Sequence, residues 1–156
     1  MHHSTRRRFL AAMLAAPVLA PVALPTLETA AKGNGRKLAR YARKFKGDRY
    51  RSASADPKRG FDCSGLTWYC VQKVYGMDIG RSVTSQWKFG KKVKKSGLRS
   101  GDLVFFVNTY ERGLSHCGIY LGGGKFIHAE SEKTGVIITR LDSDYYTEHY
   151  KGARRL

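Results

Sequence analysis

The sequence predicts an α+β fold, with helices first and an antiparallel sheet after them. As far as Phe89, apolar residues recur at helical spacing. After Leu98-Arg99-Ser100-Gly101-Asp102 the pattern becomes short apolar runs separated by glycine-rich turns. Size agrees: 156 residues, 42% hydrophobic and 12% aromatic, suit one packed domain with a short leader and exclude a disordered chain.

Residues 1–31 read as that leader. Thr5-Arg6-Arg7-Arg8-Phe9-Leu10 opens onto an apolar run reaching about Leu27, the basic-then-apolar order of an export signal. The arginine pair followed by x-Phe-Leu resembles a twin-arginine signal; an ordinary secretory signal with extra arginines is the alternative. Pro17, Pro21 and Pro25 interrupt the run and argue against a membrane anchor. Cleavage is expected near Thr29-Ala30-Ala31, leaving 32–156 as the domain.

Lys32–Arg36 reads as a Gly/Lys linker. Leu38, Tyr41, Ala42 and Phe45 then fall on one face of a helix over 36–46, stopped by Gly47. The stretch 48–59 is expected to be irregular. A second helix is expected from Cys63 to Tyr75, with Asp62 as its N-cap and Gly76 as its stop, and a short one over Thr84–Phe89. Strands are expected at 103–107, 115–121, 125–130, 136–141 and 150–155.

The chemistry concentrates at Gly60-Phe61-Asp62-Cys63-Ser64-Gly65-Leu66. A thiol in the first turn of a helix meets free backbone amides and the positive end of the helix dipole, so its thiolate is favoured. Gly65 is expected to let a substrate backbone approach. His116 opens a strand in which His116, Gly118 and Tyr120 share one face, and Cys117, Ile119 and Leu121 the other. His128 lies on the next strand.

A plain two-residue turn at Gly123-Gly124 would send the two imidazoles to opposite faces. An odd loop or a bulge at the three glycines sets His128 opposite Gly118, beside His116, and is the expected solution. Cys63, His116 and His128 then form a nucleophile, a base and the base's orienter.

Zinc is the rival chemistry for those three side chains. No CxxC or HxxxH spacing supports it and a fourth ligand is missing, so neither metal nor cofactor is expected. Cys70 and Cys117 are expected buried and reduced, on opposite sides of the sheet if the Cys63 helix packs on the histidine face. The formal charge is +17, of which residues 32–156 carry +15. For an exported chain this points to anionic cell-wall polymers or a membrane surface rather than nucleic acid.

These residues resemble the NlpC/P60 family of papain-like cysteine peptidases that cut peptidoglycan stem peptides. Gly101-Asp102-Leu103-Val104-Phe105-Phe106, Ser115–Gly122, Phe126-Ile127-His128-Ala129 and Ala153-Arg154-Arg155 add to the cysteine segment. The resemblance implies catalytic Cys63, His116 and His128, with Tyr50 beside the nucleophile as oxyanion donor. It places Ser64, Asp62 and Arg81 at the substrate pocket, and Arg81-Ser82 and Gln86 match a family segment. Arg51-Ser52-Ala53-Ser54 stands where many members have Gly-Gly, Gly80 where proline is common and Cys117 where valine is usual. The implied protein is a monomeric endopeptidase of the periplasm or cell envelope acting on peptidoglycan stem peptides. A catalytically idle wall-binding module and a Cys–His amidase or acyltransferase are the alternatives.

Overall fold

The structure is a computed structural model that describes residues 27–156, so the signal motif and most of the apolar run lie outside the described residues. Helix α1 spans Leu27–Ala42 and passes into a 3-10 turn at Arg43–Phe45. The stretch expected as a linker is therefore helix. Gly33 and Gly35 weaken a helix, but packing overrides that propensity: Leu38, Ala39 and Ala42 are buried, and Gly35 lies against Ser100 and Gly101. Among the described residues no helix is long and apolar enough to cross a membrane.

A small hairpin follows, β1 (Ala55–Asp56) with β2 (Gly60–Phe61), formed largely within the stretch expected to be irregular. Helix α2 is Cys63–Tyr75, with the expected caps. The Asp62 carboxylate accepts from the Gly65 amide at 2.5 Å, and left-handed Gly76 donates to the Gln72 carbonyl. Helix α3 is one turn, Val83–Gln86, capped by Ser82.

The remaining elements are β3 (Lys91–Val93), β4 (Leu103–Val107), β5 (Leu114–Gly122), β6 (Lys125–Ser131), β7 (Gly135–Arg140), α4 (Asp144–His149) and β8 (Tyr150–Arg155). The six strands of the main sheet run in the order β3-β8-β4-β5-β6-β7, with every adjacent pair antiparallel. The meander from β4 to β7 is as expected. The closing strand inserts between β4 and the short exposed β3, which, like α4, lacks an apolar pattern to announce it. Arg155 fastens that strand with a two-pronged ion pair to buried Asp102, at 2.8 and 2.7 Å.

Two cores form on opposite faces of the sheet. The larger lies under α1 and α2 and holds Leu66, Cys70, Val71, Phe105, Cys117, Ile119 and Ile127. The smaller holds Val104, Phe106, Tyr120 and Phe126 and is closed by Tyr146 of α4. Helix α2 thus packs on the Cys117 face and not on the histidine face. Cys70 and Cys117 share one core, which corrects the condition under which they were to be separated. All three cysteines are free and buried.

Candidate active site

The loop at Gly122-Gly123-Gly124 does what the histidines require. Gly122 pairs with Lys125 and Tyr120 with Phe126, so β5 carries one extra residue, Leu121, at a bulge. All three glycines have positive φ, between 60° and 90°, which L side chains adopt only at a cost. The bulge shifts the pairing so that His128 lies across from Gly118.

His116 Nε2 stands 2.8 Å from His128 Nδ1, and His128 Nε2 stands 2.9 Å from the Thr139 hydroxyl. Both rings are buried, His116 at 4% exposure and His128 at 0%. Phe126 stacks on His128 at 4.5 Å, and Tyr146 packs edge-on to it. Burial, and then the charge of His116, hold the His128 pKa well below the usual histidine value. A neutral His128 keeps Nδ1 as an acceptor for His116 Nε2–H and gives its own Nε2–H to Thr139. The absence of a side chain at Gly118 makes room for these residues: a Cβ there would stand 2.8 Å from the Phe126 ring and 3.1 Å from the His128 Cβ.

With Nε2 engaged, His116 presents Nδ1 to Cys63. The thiol is 4% exposed, more hidden than a helix start after a polar loop suggests. Its pKa lies well below the ordinary thiol value. The facing Cys117 thiol contributes most to that shift, burial opposes it, and the bond and charge of His116 contribute further. Cys117 itself is pushed up, by burial and by the Cys63 charge, so it holds its proton. Thr67 Oγ at 3.6 Å and Gln86 Oε1 at 3.7 Å flank the Cys117 sulfur. Buried Gln86 is anchored by Ser64 and Gly80 carbonyls at 2.8 and 2.9 Å. Cys117, expected buried and reduced, also faces the candidate nucleophile. Cys70 is pushed up by burial alone and stays an inert thiol.

The other expected site residues gather at the same end of α2. Ser64 Oγ donates to the Arg81 carbonyl at 2.8 Å, and the Arg81 guanidinium meets Asp62 at 3.5 Å. Tyr50 bridges to Phe61, and its phenol is pushed up by burial and by the charges of Cys63 and Asp62, so it stays a donor. Gly65 serves a different end from the one expected. A Cβ there would lie 2.0 Å from the Ser54 carbonyl, so the chain's own loop uses that space, not substrate. That loop holds Ala53 at φ +54°, a left-handed conformation in the stretch where the family pattern has glycines.

Sequence reasoning missed Thr139, and also Tyr110, Glu130, Tyr145 and Tyr146. The last four, with Thr109, His116 and Ser131, line a cavity of about 380 Å³. Only Glu130 lay within reach of the sequence, since it shares strand parity with His128. No group of three or more His, Cys, Asp or Glu side chains among the described residues could hold a metal ion.

Helices stacked on one face of an antiparallel sheet, with a helix-start cysteine meeting a strand-borne histidine, define a papain-like α+β fold. The family model described as "NlpC/P60 family" matches residues 47–155, and the chain belongs to that family. It is 44% identical over 115 residues to a gamma-DL-glutamyl hydrolase of Bacillus subtilis, covering 73% of this chain and 27% of that protein. Murein DD-endopeptidase MepS/murein LD-carboxypeptidase of Escherichia coli is 40% identical over 113 residues, covering 72% of this chain and 57% of that one. Murein DD-endopeptidase MepH of the same organism is 39% identical, covering 70% of this chain and 41% of the relative. The chain therefore spans between 27% and 57% of the length of these relatives. Among solved structures, an NlpC/P60 family protein of Bacillus cereus aligns with a TM-score of 0.70 at 34% identity, over 78% of this chain and 39% of that one. The NlpC/p60 domain of the peptidoglycan hydrolase SagA aligns with a TM-score of 0.69 at 33% identity, over 78% of this chain and 98% of that one.

Proposed function

We propose that this chain is an exported cysteine endopeptidase that hydrolyses an amide bond in peptidoglycan stem peptides or their crosslinks. The observation that carries the reading is the line Cys63–His116–His128–Thr139, with the thiol held low and the terminal imidazole held neutral. The names of the relatives, murein endopeptidases and a glutamyl hydrolase among them, supply the substrate class.

In this reading the Cys63 thiolate attacks the amide carbonyl carbon and the carbonyl electrons move to oxygen. The Tyr50 hydroxyl and the free amides at the start of α2 donate to that oxyanion. His116 gives its Nδ1 proton to the amide nitrogen, the C–N bond breaks and the amine departs, leaving a thioester on Cys63. Water then loses a proton to His116 and attacks the thioester, releasing the acid and the Cys63 thiolate. His128 keeps the His116 ring aligned throughout. Asp62, Ser64 and Arg81 form the wall of the acyl side.

The protein acts in the periplasm or cell envelope as a monomer, and its basic surface holds it near anionic wall polymer. The test is incubation of the protein and its Cys63→Ala variant with purified sacculi, followed by identification of the released muropeptides. New fragments with wild type alone support the reading. Identical digests from the two proteins overturn it.

A further inference from the structure

The cavity beside His116 has a composition unlike the rest of the molecule. The chain carries 29 lysines and arginines against 12 acidic residues, yet the cavity wall has neither lysine nor arginine. Its acidic member is Glu130, half-buried at the end of β6. Glu130 has no salt-bridge partner among the described residues; it accepts one hydrogen bond, from the Tyr146 hydroxyl at 3.3 Å. Burial and the Glu130 charge push the Tyr146 phenol up, so Tyr146 stays a neutral donor.

The surrounding groups suit a cation. Tyr145 and Tyr110 are exposed at 48% and 65% and border the cavity, while Thr109 and Ser131 add hydroxyl oxygens to its wall. Ring faces and a carboxylate both attract an ammonium group, and hydroxyls complete its three hydrogen bonds. A strongly basic protein repels cations at long range, so a local carboxylate and tyrosine rings are needed to hold one. The cavity lies on the His116 side of the nucleophile. In the proposed reaction His116 delivers its proton to the departing nitrogen, which places the cavity on the leaving-group side of the scissile bond.

We propose that the Glu130 cavity is a specificity subsite for a primary ammonium group on the amine-side residue of the peptide substrate, such as the side-chain amine of a diamino acid. The proposal rests on the reading of this chain as a peptidoglycan endopeptidase. The Glu130 carboxylate takes the ammonium, and Tyr110 and Tyr145 lie against its methylene stem. An acetylated amine is rejected because it carries no charge and its added bulk meets the tyrosine rings.

Two measurements test it. The first compares kcat/KM for muropeptides bearing a free or an acetylated side-chain amine, in wild type and Glu130→Gln. Wild type is expected to prefer the free amine by roughly tenfold or more, chiefly through KM, and the variant to lose that preference. Equal preference in the two proteins overturns the proposal. The second uses the Cys63→Ala protein, with and without Glu130→Gln, and follows tyrosine ring resonances during titration with Nα-acetyl-lysine amide. Shifts at Tyr110 and Tyr145 that vanish with Glu130→Gln support the subsite. Shifts that persist, that are absent altogether, or that appear equally with the norleucine analogue overturn it. Because this titration needs no turnover, a protein that fails to cut sacculi still shows whether the cavity binds an ammonium group.

Discussion

His116 Nε2 meets His128 Nδ1 at 2.8 Å only because β5 holds one residue more than β6 between their last pairs. Without Leu121 in its bulge, the same hairpin would place His128 across from Ile119 and turn its ring into the larger core. A local backbone irregularity some distance along the strand thereby decides whether His116, the proposed base, meets His128, its proposed orienter.

The contact also needs Gly118. A Cβ at that position would lie 2.7 Å from the Ile127 carbonyl and 2.8 Å from the Phe126 ring. Gly118→Ala is expected to cost about 1–3 kcal/mol of stability, the usual penalty of overpacking. It should abolish muropeptide release at temperatures where the fold survives. Urea unfolding and the sacculus assay, run side by side, check both parts; full activity would mean the strands separate without consequence.

Thr139 acts one step further out. Its hydroxyl accepts the Nε2–H of His128, which fixes the tautomer that offers Nδ1 to His116. Thr139→Val is expected to lower kcat roughly tenfold with little change in KM, and Thr139→Ser to restore it. A valine variant with wild-type kcat would show that packing by Phe126 and Tyr146 alone fixes the ring.

His128 predicts a dependence of stability on pH. In the unfolded chain it titrates near 6.5, whereas burial and then the His116 charge hold it lower in the folded state. Between those values the unfolded chain binds more protons, so the stabilisation is complete above pH 6.5 and is lost as pH falls toward the folded value. The slope from this one group cannot exceed about 1.4 kcal/mol per pH unit. Urea midpoints measured from about pH 7 to about pH 5 should fall more steeply for wild type than for His128→Asn. Parallel decline in the two proteins would contradict a neutral, buried His128.

Cys117 is expected to tune the nucleophile. Its thiol faces Cys63 and is the largest influence lowering the Cys63 pKa. Cys117→Val keeps the bulk and removes the S–H, so the alkylation profile of Cys63 should move to higher pH, and Cys117→Ser should move it back. An unmoved profile would assign the lowering to His116 and the helix start alone.

Much of this site was legible in the sequence because its parts obey local rules. The Asp62 cap and the Gly76 stop mark the ends of α2 to the residue, and the glycine run signals a turn that departs from the plain hairpin. The α2 packing face was not legible, since side-chain alternation along β5 tells which residues share a face but not which face a helix covers. Whether Cys117 shares a core with Cys70 on α2 therefore stayed conditional, and Gly65 looked like a substrate contact when it accommodates the Ser54 carbonyl. Thr139 and Tyr146 lay beyond reach for a related reason. Their roles depend on cross-strand register and on a helix of six residues, neither of which leaves a periodic trace.

In the proposed reading Cys63 is the thiolate nucleophile, its ionisation favoured first by the facing Cys117 thiol and then by His116, which His128 aligns. Site-resolved alkylation by iodoacetamide tests this most directly, read by peptide mass mapping from about pH 5 to about pH 10 in wild type and His116→Ala. Cys63 of wild type is predicted to react well below the pH at which an ordinary thiol ionises, with Cys70 silent, and His116→Ala to displace the Cys63 profile to higher pH. A Cys63 profile that follows an ordinary thiol and is indifferent to His116→Ala would contradict that prediction.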